Sequence, residues 1–238
     1  MKQKTKISLS DKWKKAFSDG KKNYKVLNPS SKKHRHDTLG ASLTLIKKEF
    51  VTFRLSRLEN PVDFERMCFV IKACAKSGKL PYKCIIHVEQ TRKGSRLVAT
   101  DGLRLHVAEI SKKIKSGDYK PHVTKDFISL GKPIKNINFP IWSKAIPEKT
   151  EKRGIINLVN SGMGNDRQET EKLSIAFNSF VKQTGEPVNL RYLDDLTKSE
   201  WDVYCQDGKR KAIVLKEKSG KSDSEVPLAV ILPIPQAA

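Results

Sequence analysis

Acidic residues are scarce in this sequence. Across 238 residues, 26 Asp and Glu face 47 Lys and Arg, which leaves a formal charge of +21 and a pI near 9.8. A surplus of that size points to a polyanionic partner, nucleic acid before any other, although basic tails or a solubility surface produce the same sum. Cysteine is also sparse. Cys68, Cys74, Cys84 and Cys205 fall inside predicted helices or strands with no C-x-x-C spacing. That excludes a zinc ribbon or a disulfide scaffold and fits reduced core thiols in a cytoplasmic protein. No stretch of about 18 apolar residues exists, and the basic N-terminus has no apolar centre, so neither a membrane span nor a secretory leader is expected.

Catalytic patterns are missing as well. There is no Walker-type phosphate loop, no H-E-x-x-H and no G-x-S-x-G. Gly162-Met163-Gly164 lacks the third glycine and the preceding strand of a dinucleotide site. Asp101 and His106 stand five residues apart, which in a strand sends their side chains to opposite faces. Asp194-Asp195 reads as the start of a turn. The expectation is a noncatalytic protein with no metal and no cofactor.

What is present begins with a basic segment. Residues 1–40 hold 12 Lys and Arg against Asp11, Asp19 and Asp37, so they carry +9 of the +21 and leave +12 for the other 198 residues. Their apolar residues are too few for a core, and the segment reads as a mostly disordered basic arm. Trp13, Phe17 and Tyr24 among the lysines offer stacking surfaces for bases. A short amphipathic helix over 10–18 docked on the body fits the same residues.

The body, 41–238, divides into a first half over about 41–118, a linker over 119–150 and a second half over 151–238. Phe50–Leu55 is a β-type run. Asn60-Pro61 starts a helix whose apolar residues Phe64, Met67, Cys68, Ile71 and Cys74 recur at helical spacing up to Gly78. Tyr82–Glu89 and Arg96–Ile110 form a hairpin around Arg92-Lys93-Gly94-Ser95. The residues from 111 to 150 are irregular and Lys-rich. Ile155–Val159 is a strand, and a second helix over 167–184 stops at Gly185. Short strands follow at Val188–Leu190, Trp201–Gln206, Lys211–Lys216 and Leu228–Ile234, with one helical turn at Leu193–Leu196 and a tight turn at Asp207-Gly208. Few helices and mostly antiparallel strands make the class α+β, and the αββ order occurs roughly twice.

Three short segments stand out. Leu97–Ala108 is an apolar strand, then a Thr100-Asp101-Gly102 break read as a bend, then an alternating Leu/Arg/Leu/His/Val strand. Phe139–Pro147 is a loop pinned by two prolines around Trp142. Val230–Ile234 is an edge-type strand ending at Pro233. Singly, each is ordinary. In this order they resemble the sliding clamps of the bacterial DNA polymerase III β-subunit type, over roughly 61–147 and 186–234.

The resemblance implies a DNA-clamp-like fold, antiparallel sheets with two main helices packed on one side, in a shortened, phage- or mobile-element-like version. One clamp-like unit split by the linker is the preferred reading, and two compressed domains are the alternative. It implies a processivity factor that contacts double-stranded DNA nonspecifically and self-assembles if a ring is to close. It also implies a pocket that takes the linear motif of a replicative polymerase or another clamp-binding protein. Carried over by position, that pocket uses Thr100, Gly102, Leu103, Arg104 and Leu105, then Pro140, Lys144 and Ala145, then Val230, Leu232, Pro233 and Ile234. Leu103 replaces a usual His, and Leu232 and Ile234 replace methionines, the adaptable residue of promiscuous surfaces. DNA contacts fall on Arg66, Lys72 and Lys76 of the first helix and Arg167, Lys172 and Lys182 of the second, positions that a plain solvated helix face explains equally well. The alternative is a monomeric basic nucleic-acid-binding or regulatory protein that keeps the fold without a ring.

Overall fold

The computed structural model describes residues 51–78, 80–163, 166–206, 212–218 and 227–234. By backbone contacts the chain forms two units, 1–49 and 50–238, and the basic arm lies in the first, outside the described residues. The second unit contains β1 (Phe53–Ser56), α1 (Pro61–Lys72), β2 (Ile86–Gln90), β3 (Ser95–Thr100), β4 (Arg104–Ile110), β5 (Gly117–Tyr119), β6 (Pro121–Val123) and β7 (Phe127–Leu130). It continues with β8 (Glu151–Asn157), α2 (Arg167–Thr184), α3 (Leu190–Asp194), β9 (Glu200–Cys205), β10 (Ile213–Glu217) and β11 (Leu228–Ile231). Two single 3-10 turns occupy Pro81–Cys84 and Trp142–Ala145.

Eight strands make one antiparallel sheet in the order β5-β2-β3-β4-β11-β10-β9-β8, and β1-β7-β6 make a small second one. The large sheet has internal symmetry. A helix precedes each three-strand meander, α1 before β2-β3-β4 and α2 before β9-β10-β11, and the last strand of one meander pairs with the last of the other. The repeated unit is thus αβββ, one strand longer than the sequence suggests.

Period-two alternation sorts the sheet's side chains. Ile86, Val88, Leu97, Ala99, Ala108, Trp201, Val203, Ile213, Leu215 and Ala229 face the helices, where Phe64, Met67 and Val70 of α1 and Leu173, Ala176 and Phe180 of α2 join the same core. Val98, Leu105, Val107, Val214 and Val230 form a second cluster on the opposite face. The class is α+β, with both main helices on one side of the antiparallel sheet. Among the described residues, no helix is long and apolar enough to cross a membrane.

Several elements differ from the sequence reading. Thr100-Asp101-Gly102 is a full reversal, with Thr100 paired to Leu105, so 96–110 is two strands. The helix expected to reach Gly78 ends at Lys72, and Ala75 N–H bonds the Lys83 carbonyl instead of an upstream turn. Val188–Leu190 is not a strand, because Leu190 opens α3 behind an Asn189 cap. The supposedly irregular 111–150 contains β5, β6 and β7. By contrast α2 matches its expected span, capped by Asp166 and closed by Gly185 at φ +70°. The expected tight turn at Asp207-Gly208 lies outside the described residues.

Candidate peptide-binding site

The β3–β4 turn is built by its own side chains. Asp101 Oδ1 accepts the backbone N–H groups of Leu103 and Arg104 at 2.9 and 3.0 Å. Thr100 Oγ1 accepts from Gly102 N–H and donates to the Arg104 carbonyl. Gly102 sits at φ +92°, which favours glycine. The turn therefore points Leu103 into solvent, 55% exposed. Its carbonyl accepts the Leu232 N–H at 2.9 Å, which joins the ends of β4 and β11.

Leu105 and Val230 are paired across those strands, and both are buried in the second cluster. Phe139, Trp142 and Ile146 pack on that cluster as a strap. Trp142 Nε1 donates to Glu89 Oε1 at 2.9 Å. Phe139 stacks on His87 at 4.8 Å, and His87 Nδ1 meets Asp118 Oδ1 at 2.7 Å. The Arg96 guanidinium bonds Glu109 at 2.7 Å and lies 5.7 Å over the Trp142 ring.

The fold thus gathers all three segments on one sheet face. Their roles differ. Leu105 and Val230 form a floor that the chain's own residues already bury. Thr100 is buried beside Leu105. Leu103, Leu232 and Ile234 are exposed apolar residues along this margin and Pro233 is half-buried, with Ile234 N–H bonded to the Pro187 carbonyl at 2.9 Å. Pro140, Lys144 and Ala145 are exposed on the strap. Arg104 departs from the expected group, since strand alternation sends it to the helix face. There its Nε lies 3.2 Å from Asp101 Oδ2, its guanidinium meets Asp195, one N–H donates to the Lys72 carbonyl at 2.5 Å, and it stands 4.6 Å over the Tyr192 ring.

Solved structures carry the same arrangement of elements. The DNA polymerase III β chain of Streptococcus pneumoniae aligns with a TM-score of 0.51 at 14% identity, over 77% of this chain and 64% of that one. The β subunit of Thermotoga maritima gives 0.50 at 14% identity, over 79% and 66%. The chain has the sliding-clamp fold. It spans about two thirds of the length of those clamp subunits. No family model and no curated protein matches the sequence.

Within the clamp fold the helix cations are unequally placed. Arg167, Lys172 and Lys182 are exposed on α2, and Lys72 is exposed at the end of α1. Lys76 lies past that end. Arg66 is half-buried and donates to the Glu109 carbonyl at 2.8 Å. The helices themselves are almost charge-balanced. In α1, Arg66 and Lys72 face Asp63 and Glu65, and in α2 Arg167, Lys172 and Lys182 face Glu169 and Glu171.

Sequence reasoning missed His87, Glu89, Arg96 and Val214, the residues that pin the strap or complete its floor. Only the alternation in β4 signalled a second apolar face. The cross-strand partners carry no local signature.

Proposed function

We propose that this protein is a noncatalytic, sliding-clamp-like processivity factor. It contacts duplex DNA without reading sequence, and it recruits replication proteins through a short peptide seated on the exposed Leu103, Leu232 and Ile234. One observation carries the reading: the convergence of 100–105, 139–146 and 230–234 on one sheet face, in a chain with the clamp fold. Exposed aliphatic side chains beside a proline-stiffened strand suit the Leu or Phe anchors of a linear motif. Encircling DNA would take more than one copy, arranged head to tail.

The test is a fluorescence-anisotropy titration of a labelled clamp-binding-motif peptide from a replicative polymerase. Micromolar binding is expected, with a loss of about tenfold or more in Leu103→Asp and in Leu232→Asp. Both residues are exposed, so the substitutions spare the core, whereas Leu105→Asp would damage the floor itself. Undiminished binding in both variants removes the pocket from the reading.

A further inference from the structure

The chain's positive charge is not concentrated on its helices. Residues 111–135 contain seven lysines against two acids, Asp118 and Asp126. The fold collects them on one lobe. The loop before β5 carries Lys112, Lys113 and Lys115, and it is folded onto β5 by the Tyr119 hydroxyl, which donates to the Lys115 carbonyl at 2.7 Å. Lys120 joins β5 to β6, and Lys125 sits in the β6–β7 turn. Lys132 and Lys135 flank Pro133-Ile134, which returns to β5 through Ile134 N–H to the Asp118 carbonyl at 2.7 Å.

All seven lysines are exposed, and none is held in an ion pair among the described residues. Of the two acids, Asp118 is buried against His87, so only Asp126 offsets them at the surface. The neighbouring strand β1 adds Arg54, whose guanidinium lies 3.6 Å over the Phe127 ring. Nothing in the core requires these cations, and clustering unpaired like charges costs stability.

We propose that this lysine lobe, more than α1 or α2, is the surface that grips a nucleic-acid phosphate backbone. Lysines on short loops act as mobile point charges that neutralise phosphates without reading bases. The near-neutral helices leave the lobe as the densest unpaired charge of the described body. The inference does not rest on peptide recruitment or on ring closure. It extends the DNA contact to elements that the clamp resemblance does not assign.

The experiment uses the full chain and a fluorescein-labelled 30-base-pair duplex, with Kd measured from about 50 to 200 mM salt. Each phosphate neutralised contributes about 0.9 to the slope of log K against log salt. The variant Lys120→Glu/Lys125→Glu/Lys132→Glu/Lys135→Glu is expected to bind about tenfold more weakly or worse, with a slope shallower by about 3 to 4 and a melting temperature no lower than the parent's. Arg167→Glu/Lys172→Glu/Lys182→Glu on α2 is expected to change the slope by less. An unchanged slope in the lobe variant, or the larger change in the α2 variant, overturns the assignment. So does polyglutamate binding that falls as far as duplex binding, because that outcome gives the lobe to acidic polypeptides. The clamp-motif peptide titration reports separately on the proposed function.

Discussion

His106 is the residue whose chemistry is most constrained by the fold. It is fully buried on the helix face of β4, stacked on Phe69 at 4.3 Å, and its Nδ1–H donates to the Phe69 carbonyl at 2.7 Å. Its Nε2 has no partner. Burial drives its pKa from 6.5 down to about 3, with Arg104 and Lys72 pushing the same way and only the Phe69 bond opposing. The native state therefore keeps the ring neutral while the unfolded chain takes up a proton below pH 6.5. Stability is intact above that pH and falls by about 1.4 kcal/mol per unit between it and about pH 3. Urea unfolding at pH 7 and pH 5 should differ by about 2 kcal/mol from this group. His106→Phe should remove that part of the pH dependence, at a fixed cost of about 1–3 kcal/mol for the stranded Phe69 carbonyl. An equal pH dependence in the variant would dismiss His106 as the acid-sensitive group.

Among the elements, those with strong local signals were legible and those fixed by partners were not. The span of α2 follows from Leu173, Phe177 and Phe180 at helical spacing between Asp166 and Gly185. The strands β5, β6 and β7 are three or four residues each, too short to show alternation, and the segments around them are rich in Lys. The end of α1 was misplaced for a tertiary reason. Gly78 looks like a stop, but Arg104 takes the Lys72 carbonyl and the chain turns away to Lys83. Arg104 thus joins three elements: the last turn of α1, the β3–β4 turn through Asp101, and α3 through Asp195 and Tyr192. For the same reason the candidate site was only partly legible. Its three segments could be found in sequence, but the face each side chain takes depends on the reversal at Gly102. Arg104→Met keeps the aliphatic stem and takes the cation from two carboxylates that are about one-fifth to one-quarter exposed, of which Asp101 keeps its two backbone N–H bonds. It should cost about 2–4 kcal/mol in urea unfolding and speed amide exchange at the end of α1. Wild-type exchange there would assign the early helix end to another cause.

At the scale of the described body, the eight-stranded sheet is closed to strand addition at both ends. The outer side of β5 is covered by Pro133-Ile134, and proline offers no N–H to a further strand. The outer side of β8 is blunted twice. A register shift between Lys152 and Gly154 bulges the strand at Arg153, and Gln183 Nε2 of α2 donates to the Ile155 carbonyl at 3.0 Å. Gly154 is needed for that cap, since a Cβ there would lie 2.4 Å from Gln183 Oε1. Exposed edges template association, and these devices suppress it at both ends of this sheet. Deleting Arg153 restores a continuous register against Val203 and Tyr204, and Gln183→Ala frees the Ile155 carbonyl. Together they should raise the sedimentation-average mass above that of the parent protein at equal concentration, with the increase growing as concentration rises. If the two proteins sediment identically across that range, the bulge and the glutamine are not what keeps this edge unpaired.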